Sequence, residues 1–325
     1  METRRLRLLL ELSRLGSMRE VAAELGITTS TVSQQIAVLA RESGATLIEP
    51  DGRRVRLTPA GRRLAEHAVT ILAAVEAAHL DLDPGAEAVG TLRVAGFATA
   101  IRRSLLPIVA ELAASHPRVR MLIHEHEPSE AYALLATDDV DLALSYEYNL
   151  APAAFDRTLE ATPMWSAGWA LGVPAPAEPA GDALAVFRRF RTNDWIVNSR
   201  NTADEVVVRT LSSMAGFEPL IAHRADSLAL VQDLIVAGLG VGLLPADQPT
   251  VPGVSLLPLT GPGISLRCLA VTRRGRADWP PLALVLDLLL RHPTAAGAAS
   301  ERRAELPESA AGGQVPEGVR HRVTG

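Results

Sequence analysis

The chain has 325 residues, 48% of them hydrophobic and 21% charged, a globular balance in a chain too long for one average domain, so two or three domains are expected. No uninterrupted apolar run approaches the ~20 residues of a membrane helix, the charged start METRRLRLLLELSR carries no small-residue cleavage site, and a single cysteine, Cys268, excludes an internal disulfide and any Cys-based zinc cluster; a cytoplasmic protein without a membrane partner is expected. Charge is uneven: residues 1–66 hold 11 Arg against 8 acidic residues and the remainder 21 against 29, a mildly basic head on an acidic body that fits a nucleic-acid module attached to something else.

Leu6, Leu9 and Leu10 suit a first helix that closes at Gly16, a residue able to take the left-handed conformation past a helix end. Ser17 and Glu20 have the spacing of a capping box and open a second, short helix with Val21, Ala22 and Leu25 on one face. Gly26 then turns the chain, and Thr28 caps a third helix expected from Thr29 to about Ala40. Two short helices about a tight glycine turn make a helix-turn-helix. Asp51-Gly52, between Leu47-Ile48-Glu49-Pro50 and Arg53-Arg54-Val55-Arg56-Leu57, predicts a small hairpin, the wing. Thr58 as cap and Pro59 as first helical residue open a long helix on which Leu64, Ala68, Ile71, Leu72, Val75 and Ala78 repeat at helical spacing. So apolar a helix needs a partner helix. Asp83-Pro84-Gly85 ends it.

From Thr91 onward strand and helix patterns alternate, as in α/β domains. One lobe is read from strands at 92–97, 119–124 and 140–145 with helices near 101–115 and 130–136. A second follows from strands near 165–173, 195–197 and 241–244 with helices at 203–214 and 228–237, then a last strand (266–272) and helix (282–290). Residues 294–325, rich in Ala, Gly, Pro, Glu and Ser, are expected to form a disordered tail. The domains so delimited are 1–58 (winged helix-turn-helix), 59–89 (linker and dimerisation helix with its hinge), 90–293 (two lobes) and 294–325 (tail).

The order of these signals resembles the LysR-type transcription regulators. The resemblance is carried by Gly16-Ser17, Val21-Ala22 and Leu25, by Val32-Ser33-x-Gln35-Ile36-x-x-Leu39, and by Leu47 and Leu57-Thr58-x-Ala60-Gly61. In the body it rests on Leu92-Arg93-Val94-Ala95-Gly96, Val140-Asp141-Leu142-Ala143-Leu144 and the segment 236–242. It implies an α/β body of two lobes like the periplasmic solute-binding proteins, with an effector held between them. It also implies a homodimer or homotetramer on an interrupted palindrome, with RNA polymerase a candidate further partner. Leu39-Ala40-Arg41-Glu42, Pro50 and Gln34 depart from the family's usual residues on or beside the DNA-facing surface.

Site residues follow. Thr29, Ser30, Thr31, Ser33, Gln34 and Gln35 lie at the end of a recognition helix that enters the major groove, where Gln bonds adenine and Ser or Thr bonds bases or phosphates. Arg53, Arg54 and Arg56 on the wing are placed to neutralise phosphates. Free helix N–H groups at the carboxyl ends of strands attract anions, which selects Thr99 and Ala100 in lobe one and Asn198, Ser199, Arg200 and Thr202 in lobe two, with an anionic effector between them and Thr202-x-x-Glu205 as a capping box.

Other patterns take plainer readings. Gly238-x-Gly240-x-Gly242 follows a helix and precedes a strand, the reverse of a dinucleotide-binding context. His124 and His126 lack a third metal ligand and read as a surface pair. Trp165 and Trp169 share a strand face and read as packing, and Cys268 as core. Neither cofactor nor metal is expected, and no nucleophile–base constellation marks an enzyme. The competing classes are a helix-turn-helix regulator of another family without an effector, and an enzyme on the α/β body.

Overall fold

In the N-terminal unit each helix begins where a hydroxyl can take up a free backbone N–H, the first helix excepted. A computed structural model describes residues 1–51, 54–83, 87–179 and 181–292; the side chains of Arg54 and Asp81, and the tail at 294–325, lie outside the described part. Helices α1 (Thr3–Leu15), α2 (Met18–Glu24) and α3 (Thr29–Ser43) are followed by the hairpin β1 (Ile48–Asp51) and β2 (Arg54–Leu57) and by α4 (Pro59–Leu82). Ser17, Thr28 and Thr58 accept from the N–H groups of Glu20, Thr31 and Gly61 at 3.4, 3.2 and 3.0 Å. Leu6, Leu9, Val21, Val32, Ile36 and Leu39 form one core, which Ala65, Ala68, Val69 and Leu72 of α4 close from the far side. The long helix is therefore structurally continuous with the helix-turn-helix. At Gly61 a Cβ would stand 2.1 Å from the Leu47 carbonyl oxygen, a backbone atom, which is why this turn of α4 requires glycine.

The body contains β3 (Gly90–Gly96), the short α5 (Ala98–Ala100) running through a π-helical turn (Ile101–Leu105) into α6 (Leu106–Ser115), β4 (Val119–Glu125), α7 (Pro128–Ala136) and β5 (Leu142–Tyr148). It continues with β6 (Leu159–Pro174), α8 (Ala183–Arg189), β7 (Asp194–Val197), α9 (Ala203–Met214), β8 (Leu220–Arg224) and α10 (Leu228–Val236). Strands β9 (Val241–Pro245), β10 (Val254–Pro258) and β11 (Ile264–Arg273) and helix α11 (Pro280–Arg291) complete it.

The main sheet runs β4-β3-β5-β11-β6-β9-β7-β8, with β10 beside β6. Its two ends are parallel, β4-β3-β5 in one lobe and β8-β7-β9 in the other, and the strands between them are antiparallel. The 16-residue β6 joins the lobes: it pairs with β11 from Leu159 to Trp169, with a register shift between Pro163 and Trp165, while Trp169–Gly172 pairs with β9. The strand expected near 165–173 is thus the later part of a longer one that begins at Leu159, and α8, β8 and β10 were not anticipated. The helix expected from Ile101 begins three residues earlier, at Ala98.

In the 238–242 segment Gly238 turns the chain with a positive φ, and Gly240 allows a close backbone approach. A Cβ on Gly240 would lie 2.6 Å from the Asp194 carbonyl oxygen, so this glycine lets β9 come up beside β7. Among the described residues no helix is long and apolar enough to cross a membrane.

Candidate functional site

On α3, one face is buried through Val32, Ile36 and Leu39, and the opposite one exposes Thr29, Ser30, Ser33 and Gln34. Thr31 is half-buried, its hydroxyl 2.8 Å from the capping Thr28. The Gln35 carboxamide accepts from Arg5 Nε of α1 at 2.9 Å, which ties it to the protein, while Ser33 and Gln34 stay exposed beside Thr29 and Ser30. On the wing, Arg56 is exposed and pairs with Glu49 across the hairpin at 2.8 Å, Arg54 lies in β2, and Arg53 lies outside the described residues.

A cavity of about 190 Å³ opens between the two lobes at the carboxyl ends of β3 and β7. Thr99 and Asn198 line it as expected. Thr99 stands in the first turn after β3, and its hydroxyl has no hydrogen-bond partner among the described residues. The Asn198 carboxamide accepts from the Asp204 N–H at 3.2 Å, so it caps α9 while facing the cavity. The other expected residues lie outside the lining. Ala100 is fully buried beneath it, and Thr202 is exposed on a separate shallow groove with Tyr132 and Ala203. The Thr202–Glu205 box does not form: Asn201 and Asn198 reach the first helical N–H groups, and Glu205 is drawn instead to Arg224 and Arg209 at 2.7 and 2.9 Å.

The turn at 199–200 does hold an anion, but one of the protein's own. Asp226 accepts from the backbone N–H of Ser199 (2.9 Å) and of Arg200 (3.2 Å), from the Ser199 hydroxyl, and from Arg200 Nε at 3.2 Å. Burial acts to raise its pKa, yet these hydrogen bonds outweigh burial and hold the carboxyl below its ordinary value. The Arg200 guanidinium then reaches across to lobe one, meeting Glu130 at 3.3 Å and Glu125 at 3.5 Å. The donors of the 199–200 turn are therefore already engaged, and the Arg200 charge is shared among carboxylates, while the Thr99 hydroxyl stays open to the cavity.

Several residues of the cleft were missed in the sequence. Glu127, directly before α7, is buried; it accepts from Asn201 Nδ2 at 2.6 Å and from the Tyr146 hydroxyl at 3.1 Å, joining the lobes. Burial and the nearby Asp226 push its carboxyl up. Tyr148 donates to Asp204 Oδ1 at 2.7 Å, and burial, with Glu127 and Asp226 adding to it, pushes the Asp204 carboxyl up to about 7. Trp169 packs edge-on against Tyr148, with ring centroids 5.4 Å apart, and also lines the cavity. Trp165 instead donates to Ser104 at 3.0 Å beneath the Arg103 guanidinium.

The signal for Tyr146 and Tyr148 was their place at the carboxyl end of β5. For Asp226 there was none, because the strand before it was not recognised. His124 and His126 stack with ring centroids 6.3 Å apart, His126 facing Glu130 at 3.4 Å, and among the described residues no group of three metal-binding side chains occurs. Cys268 is buried, which pushes its thiol up and away from reactivity.

Residues 85–294 match the LysR substrate binding domain, and residues 3–62 match the bacterial regulatory helix-turn-helix protein, lysR family. The chain is 28% identical over 247 residues to the transcriptional dual regulator GltC of Bacillus subtilis (strain 168), a match over 75% of this chain and 81% of GltC. It is 25% identical over 297 residues to the nitrogen assimilation regulatory protein nac of Escherichia coli (strain K12), over 89% and 94% of the two chains. A full-length OxyR variant from Pseudomonas aeruginosa has the same fold, with a TM-score of 0.66 at 17% identity over 92% of this chain and 99% of that one. Both the helix-turn-helix and the two-lobed body are thus matched, and the chain belongs to the LysR family of transcription regulators, DNA-binding proteins with an effector-binding domain and not enzymes.

Proposed function

We propose that residues 1–58 read an operator through Ser33 and Gln34, that residues 59–89 pair two copies, and that residues 90–293 bind the effector at the cavity between the lobes. Two such copies, or four, bind an interrupted palindrome in the cytoplasm, and effector binding changes the geometry of that complex and its contact with RNA polymerase. The observation that carries this reading is the unengaged Thr99 hydroxyl at a helix start facing an interlobe cavity, in a chain whose α3 exposes Ser33 and Gln34. Ile71, exposed on α4, supports a helix that still has apolar surface to cover.

Footprinting and fluorescence anisotropy on DNA from the gene's own upstream region, with and without metabolites of adjacent genes, test the reading. Ser33→Ala and Gln34→Ala should change which base pairs are preferred, by about 1–3 kcal/mol for each lost base contact. Unchanged sequence preference in both variants would remove α3 as the reading helix. Thr99→Val should abolish the effector response at unchanged operator affinity, because it deletes a donor in the cleft far from the DNA. A variant that responds like the parent would sink this assignment of the effector site.

A further inference from the structure

Four carboxyl groups line the cleft, those of Glu125, Glu127, Asp204 and Asp226, against one lining cation, Arg102, among the described residues. Arg200 stands beside them and meets Glu125, Glu130 and Asp226, with Glu127 more distant at 4.0 Å. Asp204 is left out of that arrangement. It is only 8% exposed, its Oδ1 accepts from Tyr148, and its side chain, part of the cavity lining, has no cationic partner among the described residues. A buried carboxylate without a counter-charge is strongly disfavoured unless it is protonated or a cation joins it. The rings of Phe97, Tyr146 and Trp169 line the same cavity. Aromatic faces attract cations and pack against apolar stems. An anion entering here meets like charge on several sides, and a neutral ligand leaves the ionised form of Asp204 without a counter-charge.

We propose that the effector is a small organic cation, a protonated amine whose charged nitrogen lies between Asp204 and Glu127 and whose apolar stem packs on Phe97, Tyr146 and Trp169. This rests on the reading of the cleft as the effector site and names its ligand class. A proton should leave as the cation enters, since the Asp204 carboxyl titrates at about 7. The groups that face it are Tyr148 and Tyr146 from β5, Glu127 before α7 and Asp226 after β8. Raising the pH through 7 ionises Asp204 and strengthens cation binding; lowering it weakens binding.

The test is calorimetric titration of the full chain with three shape-matched probes, 1,4-diaminobutane, 1,4-butanediol and succinate, with 4-aminobutylguanidine as a second cation. Titrations run at pH 6, 7 and 8 and, at pH 7, in two buffers of different ionisation enthalpy. At least one of the two cations should bind while the diol and succinate do not, with proton release at pH 7 and an affinity that falls at pH 6. Asp204→Asn and Glu127→Gln should each weaken it tenfold or more, and Asp204→Asn should abolish the proton release. Asp204→Asn removes a buried charge that lacks a counter-ion, so its melting temperature should equal or exceed that of the parent, which separates lost binding from lost folding.

Preferential binding of succinate or the diol, cation affinity unchanged in both variants, or no binding by either cation at millimolar concentration would overturn the proposal. Operator anisotropy separates the two readings. Succinate or the diol binding through Thr99 and shifting operator affinity would leave the regulatory cleft standing without this ligand class. A cation that binds through Asp204 yet leaves operator affinity unchanged would keep the ligand class and remove the regulatory role.

Discussion

Asp141→Ala should cost the effector domain about 3–5 kcal/mol, the range for removing one partner of a buried ion pair. The Asp141 side chain is 1% exposed. Its Oδ2 accepts from the Arg93 backbone N–H at 2.9 Å and from Arg93 Nε at 3.0 Å, and its Oδ1 from Arg93 Nη2 at 3.0 Å and Arg276 Nη2 at 3.3 Å. Two guanidinium groups thus converge on one carboxylate at the start of β5, and Arg276 also stacks on Trp279 with its guanidinium carbon 4.0 Å from the ring centroid. Burial alone would lower the pKa of Arg93; its bond to Asp141 reverses that and raises it. Alanine removes the one carboxylate that both guanidinium groups hydrogen-bond and leaves them the more distant charge of Asp138.

Asp141→Asn keeps an acceptor but loses the charge, so its loss should be smaller. Urea denaturation followed by tryptophan fluorescence measures both variants. A loss below about 1 kcal/mol for Asp141→Ala would show that water replaces the carboxylate at little cost, against this account. The pair also explains why two of the family-like stretches, Leu92-Arg93-Val94 and Val140-Asp141-Leu142, occur together: they face each other across the parallel β3 and β5.

What the sequence made legible tracks how local each determinant is. The helix-turn-helix was read almost completely because hydroxyl caps at Ser17, Thr28 and Thr58 and the helical repeat of its leucines act within one or two turns. The helical repeat alone gave α9 its expected bounds, since the Thr202 cap does not form. β8 was invisible because it is an edge strand whose residues alternate between exposed and half-exposed, giving no buried face to detect.

The cleft was half legible for a related reason. Strand ends locate it, but the partners of each side chain come from the other lobe. Glu127 meets Asn201 from 74 positions away and Tyr148 meets Asp204 from 56. The turn at 199–200 carries the donors of an anion site, as its residues suggest. That Asp226 fills it could be known only once β8 had brought Asp226 beside the turn.

Trp195→Ala should destabilise the second lobe by about 3–5 kcal/mol, the usual cost of deleting a fully buried large aromatic side chain. Trp195 is completely buried on β7, with Phe187 of α8 at 4.8 Å and Phe217 at 6.4 Å between ring centroids. The three residues after it, Ile196, Val197 and Asn198, form a wall of the cleft, so the void left by the indole lies directly behind the proposed effector site. Effector binding should weaken along with stability, while operator binding by the N-terminal unit, which has its own core, should persist below the melting transition.

Trp195→Phe supplies the control. The indole Nε1 is buried without a hydrogen-bond partner among the described residues. Phenylalanine keeps most of the ring contact and removes that unsatisfied donor, so its net cost should stay within ~1–2 kcal/mol. If the two variants lost equal stability in denaturation, the ring contact would not be what holds β7 in place; if Trp195→Ala bound effector as tightly as the parent, the cleft wall would not depend on the packing behind it.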